Sequence, residues 1–506
     1  MKYKFENYTL DTERRELRCN GIIQSVEPQV LDLLHFLIKN CDRVVSRDNI
    51  FQAVWRGRIV SKQVLSTRIN AARKAIGDDG TQQRLIKTMR RNGFRFIGAV
   101  REAEAETNAP LIMPVGKLSV AVVSSTAYDG DEELAGIAKG ITDDLTVALA
   151  RSRTFDVIAH NHICSDGDDP RLIARELGAS YLIICGLRRA GDRVRLTVRL
   201  IDGSVGLYIW ARSFTQGLAT GFVDQDAITA QIAAATEPRI YAAEAKRQRE
   251  KPFHALDAID CVTKALVLGK HRTPENVTIA GELLRRAIEL EPHYVRAHSV
   301  LAEYLGREVL YGRKPRRGTV PLAFEAAQKA VFCDEHDAWA HFALGWAFSM
   351  SRSPEAGIEE YRKALAINPY LPHIQYSLAA ALSSVGETEE ALAELGEAEH
   401  LGAPEVYPGQ CNSIRASIYF LSEKHDEAIK AARQSVWQSP SHIFSYHQLA
   451  VNYALVGKVE EARAELATLV RLAPNTSLNV IAESLPYIHD RETNQTLDAF
   501  RLMGIR

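Results

Sequence analysis

Pro369, Pro404, Pro440 and Pro474 recur 35, 36 and 34 residues apart, and this period constrains the second half of the chain more than any other feature. Each interval is long enough for two helices and a turn, and proline is tolerated only at the start of a helix or beyond its end. Inside one unit, Leu344-Gly345 and Phe348 precede Tyr361 and Ala364. Small residues stand where two helices would cross, with aromatics between them. Gly386-Glu-Thr-Glu-Glu-Ala and Gly457-Lys-Val-Glu-Glu-Ala fall at equivalent turns. A helical pair of this size cannot bury its apolar face alone, so neighbours have to stack. Pro292 to Pro369 spans 77 residues, which is two units and an insertion, placed at Gly312–Gly318 with its basic Arg313, Lys314, Arg316 and Arg317. The expectation for 255–490 is five clear repeats after a degenerate first one.

A second stretch carries the functional argument. Ser61 to Gly77 reads as a helix with a serine N-cap and a glycine stop. Leu65, Ile69, Ala72 and Ile76 recur at helical spacing and form one narrow apolar stripe. Gln63, Thr67, Asn70 and Lys74 fall opposite that stripe, with Arg68 and Arg73 flanking them. No acid interrupts this face, whereas a surface helix without a partner normally mixes signs. Amides suit adenine edges, and cations suit guanine or phosphate. The bland alternative is a basic surface helix that touches nothing.

Charge distribution supports the sharper reading. The whole chain has a formal net charge of −1. Residues 1–100 contain 19 Lys plus Arg against 10 Asp plus Glu, a net of +9, so the remaining 406 residues carry −10. One basic end on a mildly acidic body points to nucleic acid held by that end. The seven cysteines share no short metal-type spacing and read as reduced thiols. The chain opens Met-Lys-Tyr-Lys, unlike a secretory leader, and the apolar run Leu111 to Val123 is broken by Pro114, Gly116 and Lys117. No membrane association and a cytoplasmic location are expected.

Taken in order, residues 3–25 read as short strands with Asn20-Gly21 as a hairpin turn. Helices follow, one opening at Pro28 with Val30, Leu33, Leu34 and Leu37 inward, the next capped by Ser46 with Ile50, Phe51, Val54 and Trp55. After the Ser61 helix come two strands around Arg91-Asn92-Gly93, a hairpin with Lys87, Arg90, Arg91 and Arg95 near its tip. Pro28 with Leu31-Asp-Leu-Leu, Arg43-Val-Val-Ser-Arg, Val54-Trp55 and Thr88-Met-Arg-Arg-Asn-Gly-Phe-Arg-Phe complete a pattern that resembles the winged-helix DNA-binding domain of OmpR/PhoB-type regulators. In such an arrangement the third helix is presented to the major groove, and the wing can lay its arginines along phosphates or into the minor groove. Thr67, Arg68 and Asn70 are then the base-edge candidates and Arg73, Lys74, Thr88 and Arg90 the phosphate candidates; Gln63 and Arg91 complete the expected DNA-binding set. Two departures stand out: Ala71 where the family often has a second arginine, and Phe94 where it usually has tyrosine.

Residues 101–116 read as a polar, proline-bearing linker. Residues 117–240 alternate strand and helix patterns, including a last helix from Asp224 to Ala235, and predict an α/β domain in two or three layers. Gly140-Ile-Thr-Asp-Asp-Leu, Ala174-Arg-Glu-Leu-Gly-Ala, Gly186-Leu-Arg-Arg-Ala-Gly-Asp-Arg-Val-Arg-Leu and Leu207-Tyr-Ile-Trp resemble the TolB-N-terminal-like module. The repeats from 255 are similar to tetratricopeptide repeats, which present a binding surface. The fold class expected is multidomain, α+β and all-α: a winged helix-turn-helix head at 1–100, an α/β middle domain and an α-helical tetratricopeptide solenoid. The layout resembles HilA-like regulators.

Other clusters read plainly. Asp129, Asp131, Glu132 and Glu133 suit a solvated turn. His160 and His162 lack a third ligand at metal spacing, Gly186–Gly191 lacks a phosphate-loop lysine, and Arg313–Arg317 suits a solvated loop, with a second nucleic-acid contact as the alternative. No cofactor and no catalytic residues are expected. The function expected is a transcription regulator whose head binds double-stranded DNA and whose repeats bind a protein partner or self-associate, with homo-oligomer formation on DNA left open. The rivals are a protein-interaction scaffold without DNA binding and a regulatory subunit tied to an enzyme. The winged helix begins at residue 3, so switching by a preceding receiver domain is not expected.

Overall fold

The computed structural model describes residues 2–12, 15–19, 22–24, 26–55, 62–89, 92–103, 118–125, 132–160, 163–165, 168–190, 193–217, 225–249, 251–269, 274–485 and 490–505. The chain divides into two compact units, Met1–Ile112 and Met113–Arg506.

In the first unit, β1 (Lys2–Phe5), β2 (Tyr8–Asp11), β3 (Glu16–Cys19) and β4 (Ile22–Gln24) form an antiparallel meander. Three helices follow: α1 (Pro28–Lys39), α2 (Arg47–Trp55) and α3 (Lys62–Ala75). The wing is β5 (Ile86–Met89) and β6 (Gly93–Phe96). A further strand, β7 (Arg101–Ala103), pairs with β1, so residues read from sequence as linker close the sheet in the order β4-β3-β2-β1-β7. Val30, Leu33, Leu34 and Leu37 of α1 meet Leu65, Ile69, Ala72 and Ile76 of α3 in one core with Tyr3, Phe5, Phe94 and Phe96. The apolar stripe of α3 is therefore the one its period predicts, with each member at most 2% exposed. Gly77 ends the helix with φ 61°. At the wing, Val45 and Phe94 exchange both backbone hydrogen bonds, at 2.8 and 2.9 Å. Gly93 has φ 130°, and a Cβ there would lie 1.9 Å from the Val45 carbonyl oxygen, so only glycine lets the wing approach the α1–α2 connection.

The second unit begins with a mixed sheet. Its strands are β8 (Ser119–Ser125), β9 (Asp156–Ile158), β10 (Ile163–Cys164), β11 (Tyr181–Ala190), β12 (Arg193–Asp202) and β13 (Leu207–Gly217). The order is β10-β8-β11-β12-β13, with β9 also along β8; pairings to β8 are parallel and the rest antiparallel. Helices α4 (Glu132–Ala150) and α6 (Gln225–Arg247) pack on one face, and α5 (Pro170–Leu177) on the other, which makes three layers. α6 runs well past Ala235, where the sequence pattern ends, and through Pro238. The Arg239 guanidinium donates to the Ala235 carbonyl at 3.0 Å, close to where the proline interrupts the backbone ladder.

Helical hairpins follow. They are α7 (Ala258–Leu268) with α8 (Pro274–Leu290), α9 (Val295–Leu310) with α10 (Arg316–Cys333), α11 (Ala338–Met350) with α12 (Pro354–Ile367), and α13 (Pro372–Ser384) with α14 (Thr388–His400). After the short α15 (Ala403–Val406) come α16 (Gln410–Leu421) with α17 (His425–Gln438), and α18 (Ile443–Leu455) with α19 (Val459–Leu472). α20 (Leu478–Ser484) and α21 (Asp490–Leu502) end the chain. The helix crossings use the expected small residues: a Cβ on Gly345 would stand 3.0 Å from the Gly357 carbonyl and 2.8 Å from the Tyr361 ring. The basic insertion is neither a solvated loop nor a free cationic patch. Arg313 pairs with Glu308 at 2.9 Å, and α10 starts at Arg316. Arg316 donates to the Glu483 and Leu485 carbonyls at 2.8 and 2.9 Å, and Arg352 to Ala482 at 3.0 Å. Two arginines of early repeats thus cap the C-terminal carbonyls of α20.

Among the described residues, no helix is long and apolar enough to cross a membrane. All seven cysteines are free thiols. Asn20-Gly21, Asp129, Asp131 and His162, and the side chains of Glu132 and Glu133, lie outside what the structure describes.

Candidate nucleic-acid interface

α3 is presented by its stripe. With Leu65, Ile69, Ala72 and Ile76 locked into the core, Gln63, Thr67, Asn70 and Lys74 follow one another at i, i+4, i+7 and i+11 and are all exposed. The Thr67 hydroxyl donates to the Gln63 carbonyl at 3.0 Å, which orients it along the helix. Arg68, half-buried at the flank, is held by an ion pair to the exposed carboxylate of Glu27 at the start of α1. A ligand that wants Arg68 competes with one exposed acid, a weak competitor at ~0.2–1 kcal/mol.

Arg73 is not part of this surface. It is 5% exposed, and its Nε and Nη2 donate to the Ile86 carbonyl at 3.1 and 2.7 Å. Nη2 also donates to Thr88 Oγ1 at 2.8 Å. The expectation that Arg73 meets phosphate is corrected: its guanidinium is buried and committed to the Ile86 carbonyl and the Thr88 hydroxyl, which staples α3 to the wing. Thr88 is half-buried, and its N–H is bound to Gln83 Oε1 at 2.8 Å. Its hydroxyl serves Arg73 first. Phe94 is 6% exposed and packs into the core, so the position often held by tyrosine acts here as filler. Arg90 and Arg91 lie outside the described residues. Lys87 is exposed on β5, while Arg95 Nε donates to the Cys41 carbonyl at 3.1 Å.

The residue that sequence reasoning missed is Asp78. Its carboxylate accepts from the backbone N–H groups of Asp79 and Arg84 at 2.9 and 2.7 Å, and of Leu85 and Ile86 at 3.0 and 2.9 Å. Burial opposes its ionisation, but these four bonds outweigh burial and hold the carboxyl below its usual value. Asp78 and Arg73 together fix the wing relative to α3. An acid directly after a helix-ending glycine was the available signal.

Residues 24–96 match the family model described as transcriptional regulatory protein, C terminal. The head is an OmpR/PhoB-type winged helix. Three relatives are similar to the chain over different spans. A protein of Rhizobium meliloti (strain 1021), assigned as adenylate cyclase 3, is 29% identical over 242 residues, 47% of this chain and 41% of its own. The transcriptional regulator HilA of Salmonella typhi is 21% identical over 407 residues, 78% of this chain and 70% of its own. The transcriptional activator CadC of Escherichia coli (strain K12) is 30% identical over 83 residues, 16% of either chain. The chain thus spans about two fifths of the cyclase and a larger share of HilA. Within the winged helix, the row Gln63, Thr67, Asn70 and Lys74 of α3 is exposed, while Arg73, Asp78 and Phe94 are buried.

Proposed function

We propose that the chain is a sequence-specific DNA-binding transcription regulator that acts in the cytoplasm without catalysis of its own. Gln63, Thr67, Arg68 and Asn70 read base edges in the major groove. Lys74 and Lys87, with Arg90 and Arg91, hold phosphates. The observation that carries this reading is the exposed, acid-free row of α3 on a winged helix whose wing is locked in place by Arg73 and Asp78. The tetratricopeptide-like hairpins supply the surface for a protein partner or a second copy of the chain.

The test is binding of a promoter library by the full chain, followed by salt titration on the selected duplex. Roughly four neutralised phosphates give a log–log slope of about −3 to −4. A slope near zero, or no enrichment of any sequence, would sink the proposal. The match to a cyclase-assigned protein favours a second reading, a part in cyclic-nucleotide synthesis. Incubating the chain with ATP and a divalent cation and measuring cyclic AMP separates the two.

A further inference from the structure

Inside the second unit, the α/β module is seated against the solenoid around a cavity of about 280 Å3. One wall is α6, with the end of α4. The facing wall is made by the second residue of three successive repeat helices: Arg296 of α9, Trp339 of α11 and His373 of α13. These stack as a ladder. The Arg296 guanidinium lies 3.6 Å over the Trp339 ring, and the Trp339 and His373 rings meet edge-on at 5.7 Å. Arg296 is 7% exposed and Glu237 of α6 is 5% exposed.

The pair formed across the cavity is loose. Arg296 Nη2 stands 3.4 Å from Glu237 Oε1, and Arg296 Nε has no acceptor among the described residues. The other contacts of Glu237 are also long, 3.2 Å to Ser152 Oγ and 3.4 Å to Trp339 Nε1. Charge-assisted bonds close at about 2.7–2.9 Å when nothing is missing, as Lys251 and Asp260 do in the same unit at 2.8 Å. Burying two charges costs several kcal/mol each unless their bonds are short and complete. A staple between module and solenoid needs no such gap. Burial pushes the Glu237 carboxyl upward, as expected of a carboxylate short of donors.

We propose that this chamber binds a small zwitterion with an apolar body, of the α-amino acid class, its carboxylate on Arg296 and its ammonium on Glu237. The two ends of such a molecule complete both half-satisfied charges at once. Its side chain lies against Trp339, Tyr241, Leu284 and Val300, which line the same space. A simple anion would meet Glu237, and a simple cation would meet Arg296. A zwitterion adds no net charge to a chamber whose lining already balances Arg296 and Arg307 against Glu237 and Glu303.

The experiment uses the full chain. Thermal unfolding and titration calorimetry are run with L-valine, L-leucine, L-isoleucine, L-methionine, L-phenylalanine, L-tyrosine and L-tryptophan in turn. At least one is expected to raise the unfolding temperature saturably. Its deaminated acid and its decarboxylated amine bind at least tenfold more weakly. Arg296→Gln weakens binding at least tenfold, and Ala265→Leu, which fills the chamber from α7, abolishes it while circular dichroism stays unchanged. If Arg296→Gln fails to fold, Ala265→Leu and the two analogues still decide the matter. The proposal is overturned if none of the seven binds, if either analogue binds as well as the amino acid, or if Ala265→Leu leaves binding intact. These readouts are of binding alone, so they stand or fall separately from DNA recognition by the head.

Discussion

Arg73 Nη2 lies 2.8 Å from Thr88 Oγ1, so two residues that the sequence offers to phosphate are instead bonded to one another. The arginine also serves the Ile86 carbonyl, at 2.7 Å. Arg73→Ala leaves that buried carbonyl short of a donor and removes a packed stem. The expected loss is about 2–3 kcal/mol of head stability, or about 10 °C or more in Tm for a fragment of this size. Thr88→Val should cost about 1 kcal/mol. Urea melts of the fragment 1–112, alongside its DNA affinity under strongly native conditions, check both. A large affinity loss with unchanged stability would return Arg73 to the DNA surface.

Reading and holding should separate on α3. Asn70→Ala and Arg68→Ala are expected to lose discrimination between operator and scrambled duplex by ~1–3 kcal/mol each. Lys74→Ala should weaken both duplexes alike and lower the salt slope by about 1. Glu27→Gln releases Arg68 and should tighten operator binding by up to about fivefold. Fluorescence anisotropy at two salt concentrations measures all four. A loss of affinity in Glu27→Gln would mean that the ion pair orients Arg68 for DNA rather than competing for it.

Asp78 gives the head a specific acid sensitivity. Its carboxyl sits below the ordinary value, so its contribution is fully present above the unfolded pKa of about 4 and is lost as pH falls through the lower folded value. Asp78→Asn, which turns an acceptor into a donor facing four N–H groups, should cost about 1–3 kcal/mol at pH 7. The gap between variant and parent should shrink steadily below pH 4. Parallel denaturation curves at pH 7, 4 and 3 test this; a gap independent of pH would assign the loss to packing alone.

The stripe of α3, the wing and the helical hairpins were legible because each is written in a local period or a short turn. What sequence could not show lies in contacts between distant segments. Arg73 falls at the flank of the apolar stripe, and its inward turn depends on Ile86 and Thr88, well along the chain. Arg316 looks like any loop cation until Glu483 and Leu485 arrive beside it, 167 and 169 residues later. The sequence pattern ends at Ala235, but α6 continues through Pro238 to Arg247. Its buried Thr229, Thr236, Glu237 and Glu244 show why the helix has no clean polar face: it is covered by the sheet on one side and by the solenoid on the other.

That double cover sets the last expectation. The module and the repeats read from sequence as domains at 117–240 and 255–490, and both lie in the compact unit Met113–Arg506. Arg239 and Arg212 reach Glu405 at 3.4 and 3.1 Å, Arg153 pairs with Asp334, and the Arg151 guanidinium stands 3.4 Å from the Ile367 carbonyl. Residues 113–506 should therefore unfold in one cooperative step. The fragment 113–250 should expose the second apolar side of α6 and bind a hydrophobic dye. Tyr361→Asp tests the coupling from the solenoid side. Tyr361 is 1% exposed, its hydroxyl lies 3.3 Å from Ser349 Oγ, and its ring fills the Gly345 crossing. A charge there should cost more than about 4 kcal/mol, loosening the module as well as the repeat. Operator binding by the head should stay within about tenfold, or ~1.4 kcal/mol, while promoter output falls to that of the head alone. Hydrogen exchange on the variant reads the spread directly. Protection retained in β8 and β11 alongside a melted α12 would show that the module stands without the repeats.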